Sequence, residues 1–310
     1  MDNILSYFFG ITVQVGILFV LIAVGVIIAK LKVVTKTGVD QIVDILLYAV
    51  TPCLIVNSFL SVEFNADTVT ELLIAAGCAV ITHIIGIIFA LVFLKTKPDA
   101  MKSVYRFGVV FSNGGFMSLP LASAIIGEKG VVLVSMYVIV FNIMTWTYGV
   151  SLFKSEQKAS KLKILINPGT IGVIIGLPLF LMSLHMPEII AKPLEYMSSL
   201  NTPLAMLVTG YFLLSANIKS GMTDIKMWLA SALRLIAVPL CCVLLFKYAF
   251  GLSGNLLISC IIPACAPTAV NTMMLSAKFG GDTALASRLL SVTTVLSIIT
   301  MPLMLMIAQM

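Results

Sequence analysis

Charged residues make up only 10% of the 310-residue chain and hydrophobic residues 60%, with a mean hydropathy of +1.12. A soluble domain carries about 25% charged residues, so a soluble fold is excluded and most of the chain is expected to lie in a membrane. The net charge of +6 sits in the loops, which excludes a nucleic-acid footprint.

Ten apolar segments run over 8–29, 40–60, 71–94, 103–126, 131–153, 165–184, 193–215, 226–249, 255–278 and 284–307. Each is close to the ~20 residues that cross a bilayer. Met1-Asp2-Asn3 has no basic stretch, so the first segment reads as a span and not as a cleaved signal peptide. The second carries Asp40 and Asp44 near its basic end, where lysines can pair with them, and then Thr51-Pro52 and Asn57. The third holds a lone His83, and the fifth Asn142. The sixth contains Gly172-Val173-Ile174-Ile175-Gly176, a small-residue pattern that favours close helix packing within the chain or at a homodimer face. The seventh has Thr202-Pro203 and the eighth a mid-span Arg234. All six cysteines (Cys53, Cys78, Cys241, Cys242, Cys260, Cys265) fall in apolar segments without zinc or redox spacing. They read as small buried hydrophobes, with no metal and no cofactor implied.

The basic residues alternate between loops. Fifteen of the nineteen lie in the loops after the odd-numbered spans or beside them, from Lys30, Lys32 and Lys36 to Lys278 and Arg288. The other loops hold only Lys129, Lys192 and Lys247. By the positive-inside tendency the basic loops are cytoplasmic, which predicts a multi-pass cell-membrane protein with both termini outside.

The fourth and ninth segments are interrupted. The first interruption is Phe111-Ser112-Asn113-Gly114-Gly115-Phe116-Met117-Ser118-Leu119-Pro120, the second Pro263-Ala264-Cys265-Ala266-Pro267-Thr268-Ala269-Val270-Asn271. Glycine leaves helical dihedrals easily, and proline cannot donate to the preceding turn. Freed backbone groups in hydrocarbon cost several kcal/mol each, so such breaks survive only in protein or beside a wet cavity. Paired broken spans point to the binding site of a secondary transporter. A half-helix starting after Gly115 would aim its positive end and free N–H groups at mid-membrane, where Asn113 adds an amide. This suits a small carboxylate. Pro263 and Pro267 remove bonds from two successive turns, and Thr268 and Asn271 either repair them or face a ligand. Arg234 lies ~12 Å from the nearer span end. It is expected to attract the anion as a substrate-binding residue, the alternative being to pair with a helix C-terminal end. His83 is a candidate for proton coupling. The sequence has no P-loop and no HExxH, and no nucleophile or metal cluster that a membrane enzyme would need near an interface.

An offset of 151 residues carries Thr51-Pro52 onto Thr202-Pro203 and His83 onto Arg234, and brings the two interruptions close to register. This predicts two five-span halves, 1–153 and 165–310, joined by a basic linker at 154–164. An odd number of spans per half makes the second half inverted.

Asn113-Gly114-Gly115-Phe116 with Leu119-Pro120-Leu121, and Pro263-Ala264 with Ala266-Pro267-Thr268-Ala269-Val270-Asn271, resemble the corresponding breaks of the auxin efflux carrier family, including its bacterial malate and malonate permease-like members. The resemblance extends over the whole chain. It implies an all-α fold like that of sodium–proton antiporters and bile-acid transporters, with broken helices 4 and 9 crossing. Spans 1, 2, 6 and 7 would be scaffold, and spans 3–5 and 8–10 a mobile transport body. The implied function is elevator-type transport of a small organic anion. Asn113 and the backbone near Pro120, Pro263 and Pro267 would be site residues. The alternatives from other classes are a membrane-embedded enzyme and a sensor or channel.

The topology has a direct test. In a cysteine-free background, single cysteines at Lys158 and Asp67 are expected to differ in labelling by an impermeant maleimide on intact cells, Asp67 reacting and Lys158 not; equal labelling refutes the alternation.

Overall fold

The computed structural model describes residues 2–95, 99–153, 168–184, 186–215 and 223–310; the linker expected at 154–164 lies outside them. Among these residues every regular element is helical, and the only extended pairing is one bridge between Ser112 and Thr268. The helices are α1 Asp2–Lys30, α2 Lys36–Ser61, α3 Ala66–Phe93, α4 Asp99–Val110, α5 Gly114–Ile126 and α6 Glu128–Gly149. There follow α7 Pro168–Leu181, α8 Glu188–Leu214, α9 Ile225–Ala249, α10 Gly254–Cys265, α11 Asn271–Phe279 and α12 Thr283–Gln309. Among the described residues seven are long and apolar enough to cross a membrane: α1 from Thr12, α2, α3, α6, α8, α9 and α12. The segments expected at 103–126 and 255–278 are each divided into two short helices, and 165–184 is described from Pro168.

Polar residues start the long helices at their wet ends. Asn65 Oδ1 accepts the Thr68 N–H (2.7 Å) ahead of α3, Asp224 Oδ1 that of Lys226 (2.9 Å) ahead of α9, and Asp282 Oδ1 that of Leu285 (2.9 Å) ahead of α12. Each cap satisfies an N–H that a first turn leaves open. Inside the spans three of the prolines share a mark. Wide π-type turns begin at Leu46, Gly114 and Leu233, six residues before Pro52, Pro120 and Pro239. A proline neither bonds the carbonyl four residues back nor tolerates it close to its ring, and a wider turn moves that carbonyl aside.

Two sets of close packings order the bundle. The helix α1 lies along the second half of α8, where a Cβ on Gly25 would stand 2.5 Å from the Leu207 carbonyl oxygen and one on Gly210 2.3 Å from that of Ile22. The second half of α2 lies against α7. There Gly172 faces the Pro52 backbone and Gly176 the Phe59 ring, so the glycine pattern of α7 serves contact within the chain. The prolyl turns of α2 and α8 meet where Thr51 Oγ1 donates to Asn201 Oδ1 at 3.3 Å. The other helices pack around the divided spans, with α3 against α4 and α6, and α10 against α12. Large apolar side chains such as Leu73, Ile88, Ile174 and Ile299 are exposed on the outside, as a lipid-facing surface requires.

The backbone approach of α1 to α8 sets a stability prediction. Gly210→Leu would have to push a main chain aside, and overpacking costs about 1–3 kcal/mol or more; purified protein is expected to melt well below wild type. Gly16→Leu, on the same pair of helices but with nothing within 4 Å of its Cβ, should leave the melting temperature unchanged.

Candidate functional site

The two interruptions meet. Asn113 N–H donates to the Pro267 carbonyl at 2.7 Å, and Ala269 N–H to the Phe111 carbonyl at 3.0 Å, on either side of the Ser112–Thr268 pair. Backbone groups freed in one span are thus paired by those freed in the other. Thr268 is locked at the crossing, its hydroxyl donating to the Gly108 carbonyl (3.0 Å) and its N–H to Thr293 Oγ1 of α12 (3.2 Å). A Cβ on Gly108 would lie 3.2 Å from the Thr268 methyl and closer still to Leu289, so the two spans approach closely there. The Ser112 and Tyr137 hydroxyls share a hydrogen bond of 2.7 Å, which ties the crossing to α6.

Four helix ends surround this point, sorted by polarity. The N-termini of α5 and α11 lie on one side. Asn113 caps the first, its carbonyl accepting from Met117 (3.2 Å) and Ser118 (3.3 Å) N–H; the amides of Gly115 and Phe116 come before that first intrahelical bond. A cavity of ≈ 210 Å³ opens at these two N-termini. Its walls include Asn113, Gly114, Gly115, Phe116 and Asn271, together with Thr51 of α2 and Val138, Phe141, Asn142 and Trp146 of α6. The lining residues carry no charge. Asn113 is 4% exposed, and its Nδ2 has no hydrogen-bond partner among the described residues. The cavity therefore offers N–H donors and two positive helix ends, an arrangement that attracts an anion without a cationic side chain. Two larger depressions, ≈ 470 Å³ beside Phe59 and Phe180 and ≈ 340 Å³ beside Lys247 and Gly254, lie at helix ends away from the crossing.

The C-termini of α4 and α10 meet Arg234 of α9. The guanidinium is fully buried and donates through Nη1 to the carbonyls of Val109 (3.0 Å) and Val110 (3.4 Å) and through Nη2 to that of Ala264. Of the two roles open from sequence, substrate contact and pairing with a helix end, the geometry matches the second, and Arg234 is not on the cavity wall. Pro120, Pro263, Pro267 and Thr268, expected as binding residues, shape the crossing and are also absent from the wall; Asn113, Gly114, Gly115 and Asn271 are on it. Pro120 lies within α5 just after the wide turn, which moves the preceding carbonyl aside from its ring. The half-helix begins at Gly114, two residues earlier than expected.

His83 is fully buried, and its Nδ1 donates to the Ala79 carbonyl at 2.7 Å, since a carbonyl only accepts. Its Nε2 has no partner among the described residues. The ring stacks on Tyr137 (centroids 5.0 Å) and touches Phe111 and Phe141. His83 is not on the cavity wall itself; Phe141, which it touches, is.

Thr51, Asn142 and Trp146 were not expected at the site. A signal was available in α6, where Val138, Phe141, Asn142 and Trp146 recur at three- and four-residue spacing along one face. It was masked because Asn142 also satisfies itself, Nδ2 donating to the Val138 carbonyl at 2.9 Å.

Comparison with curated protein sequences finds no match. The sequence model of a family described as "Membrane transport protein" matches residues 10–163 and 157–305, nearly the whole chain. The chain is an integral membrane protein built of apolar helices and belongs to this membrane transport family, that of the auxin efflux carriers.

Proposed function

We propose that the chain is a secondary active carrier for a small organic anion, a mono- or dicarboxylate such as malate, malonate or an auxin-like acid, and that it binds this anion in the cavity at the crossing. One observation carries the reading: the unpartnered, buried Asn113 amide on the wall of a cavity formed at two helix N-termini. An NH₂ group without a partner in a low-dielectric site is costly, and a carboxylate oxygen would satisfy it while the helix ends stabilise its charge. The volume, below the ~300–1,000 Å³ of pockets for drug-sized ligands, suits a few-carbon acid. The aromatic and aliphatic walls suit its carbon skeleton.

In this reading ten spans form two inverted five-span halves. The helices α1, α2, α7 and α8 are the scaffold, and α3–α6 with α9–α12 move past them as an elevator. The separate packing of α1 on α8 and α2 on α7 supports this division. The cavity is walled from the crossing toward the basic ends of α2, α6 and α11, and Tyr48 at its rim is 69% exposed. With the basic loops cytoplasmic, this is an inward-open state. At the opposite end Ser58 of α2 donates to Glu128 Oε2 of α6 at 2.5 Å, a bond that joins the two bodies and must break for the elevator to move.

Two tests follow. Asn113→Ala is expected to weaken binding of labelled dicarboxylates by purified, folded protein about ten- to a hundred-fold, the loss of one hydrogen bond to a charged group. Gly115→Leu should abolish binding without unfolding, because nothing lies within 4 Å of a Cβ there and the new side chain fills the cavity. Asn57→Ala, off the cavity wall, is the control. Weakening by Asn57→Ala with no effect of Asn113→Ala refutes the site. Separately, cysteines at 58 and 128 in a cysteine-free background, joined by a short bifunctional thiol reagent, are expected to stop transport in proteoliposomes and spare binding; unaffected transport rules out movement between these bodies.

A further inference from the structure

The depression of ≈ 470 Å³ away from the crossing lies where the end of α2 remote from Lys36 meets the end of α7. Its volume is that of a pocket for a ligand of moderate size. Three rings line it, Phe59 and Phe180 with centroids 5.8 Å apart and Phe64 edge-on to Phe180 at 5.4 Å. The one charged lining residue is Glu63, which is exposed and makes no ion pair among the described residues. The last turn of α2 adds main-chain oxygens. The end of α7 is closed by the N–H groups of Ser183 to the Phe180 carbonyl (3.0 Å) and Leu184 to that of Leu179 (3.1 Å). No such bond returns to the carbonyls of Phe59 and Leu60 among the described residues, and both residues are on the wall. An open helix C-terminus carries the negative end of its dipole. Carboxylate, carbonyls and ring faces all attract a cation, and ring faces suit an ammonium. No basic side chain is among the lining residues to compete for them.

We propose that this depression binds a phospholipid with an ammonium headgroup. The ammonium rests between the rings, on Glu63 and the open end of α2, and the acyl chains run down α7. The apolar rim is what selects a lipid over a soluble amine. Phe64 and Leu184 line the depression and are exposed, and Leu179 on its wall stands one turn beyond the exposed Ile175 on the same face of α7. The depression therefore runs without a break into the lipid-facing side of the molecule. It lies at the end of a span, the depth of the headgroup region. A soluble amine would meet the acceptors and leave the apolar rim bare, whereas a phospholipid covers both. The lipid phosphate, for which the wall has no cation, stays at the wet mouth. The site is remote from the anion cavity and depends neither on the cargo nor on the elevator.

The test compares two lipids that differ in the ammonium. Purified protein in mild detergent is titrated with phosphatidylethanolamine or with phosphatidylglycerol of identical acyl chains. Retained lipid is counted by native mass spectrometry, and the melting temperature is followed alongside. Wild type is expected to retain phosphatidylethanolamine several-fold better and to melt several degrees higher with it. Glu63→Gln changes an exposed, unpaired side chain; it should melt like wild type in detergent alone and lose the preference. Glu63→Lys should reverse the preference, and Phe64→Ala should weaken retention. Asn113→Ala, at the crossing, should change none of this, which separates the site from the anion cavity. The proposal is overturned if wild type retains both lipids equally or if Glu63→Gln keeps the preference. It is also overturned if phosphoethanolamine without acyl chains stabilises wild type as well as the lipid does, since the ligand is then a soluble amine. A change of oligomeric state in Glu63→Gln with lipid retention intact overturns it too, and makes the depression an interface between copies.

Discussion

Backbone hydrogen bonding in the absence of water governs this molecule. A helix that stops inside a membrane strands N–H groups on one side of the break and carbonyls on the other, and lipid satisfies neither. The chain stops two helices, at Val110 and at Cys265, and brings the breaks together. The mutual bonds of Asn113 with Pro267 and of Ala269 with Phe111 absorb part of the deficit. What remains is divided by sign. Stranded carbonyls face a guanidinium, and stranded amides face a cavity. Much of the polar chemistry in the interior follows from this division: Thr268 and Thr293 lock the crossing, and Tyr137 braces Ser112.

The prolines show how sequence handles the same constraint on a smaller scale. Pro52, Pro120 and Pro239 each follow the start of a wide turn by six residues. The helix direction is kept while one carbonyl is displaced. In α2 this turn leads directly into Thr51, whose hydroxyl both bonds Asn201 and borders the cavity. A residue read from sequence as part of a scaffold kink is therefore also a wall of the site.

Much of this was legible in the sequence, and the reasons are specific. Span length is a one-dimensional signal, so the apolar segments could be placed closely. The two breaks announced themselves because glycine, proline and amide residues coincide where apolar residues are expected. What sequence could not supply was direction. It left Arg234 two partners, an anion or a helix end, and only the relative position of α9 and the breaks decides between them. Asn142 was missed because a polar side chain that bonds its own helix resembles simple packing. The prolines were expected at the site because they make the break; they are not on the cavity wall.

The uncompensated charge of Arg234 also has an electrical meaning. A guanidinium that moves with the crossing moves through the membrane field, and one elementary charge is worth about 2.3 kcal/mol per 100 mV if it traverses the whole potential. Even a fraction of that distance biases an elevator. In the proposed orientation and with the interior negative, the unloaded positive crossing would be drawn toward the cytoplasm. A bound monoanion would cancel that pull, and a dianion would reverse it. The resting potential of the cell would then set which face the empty carrier presents, and the charge of the cargo would set how readily it leaves.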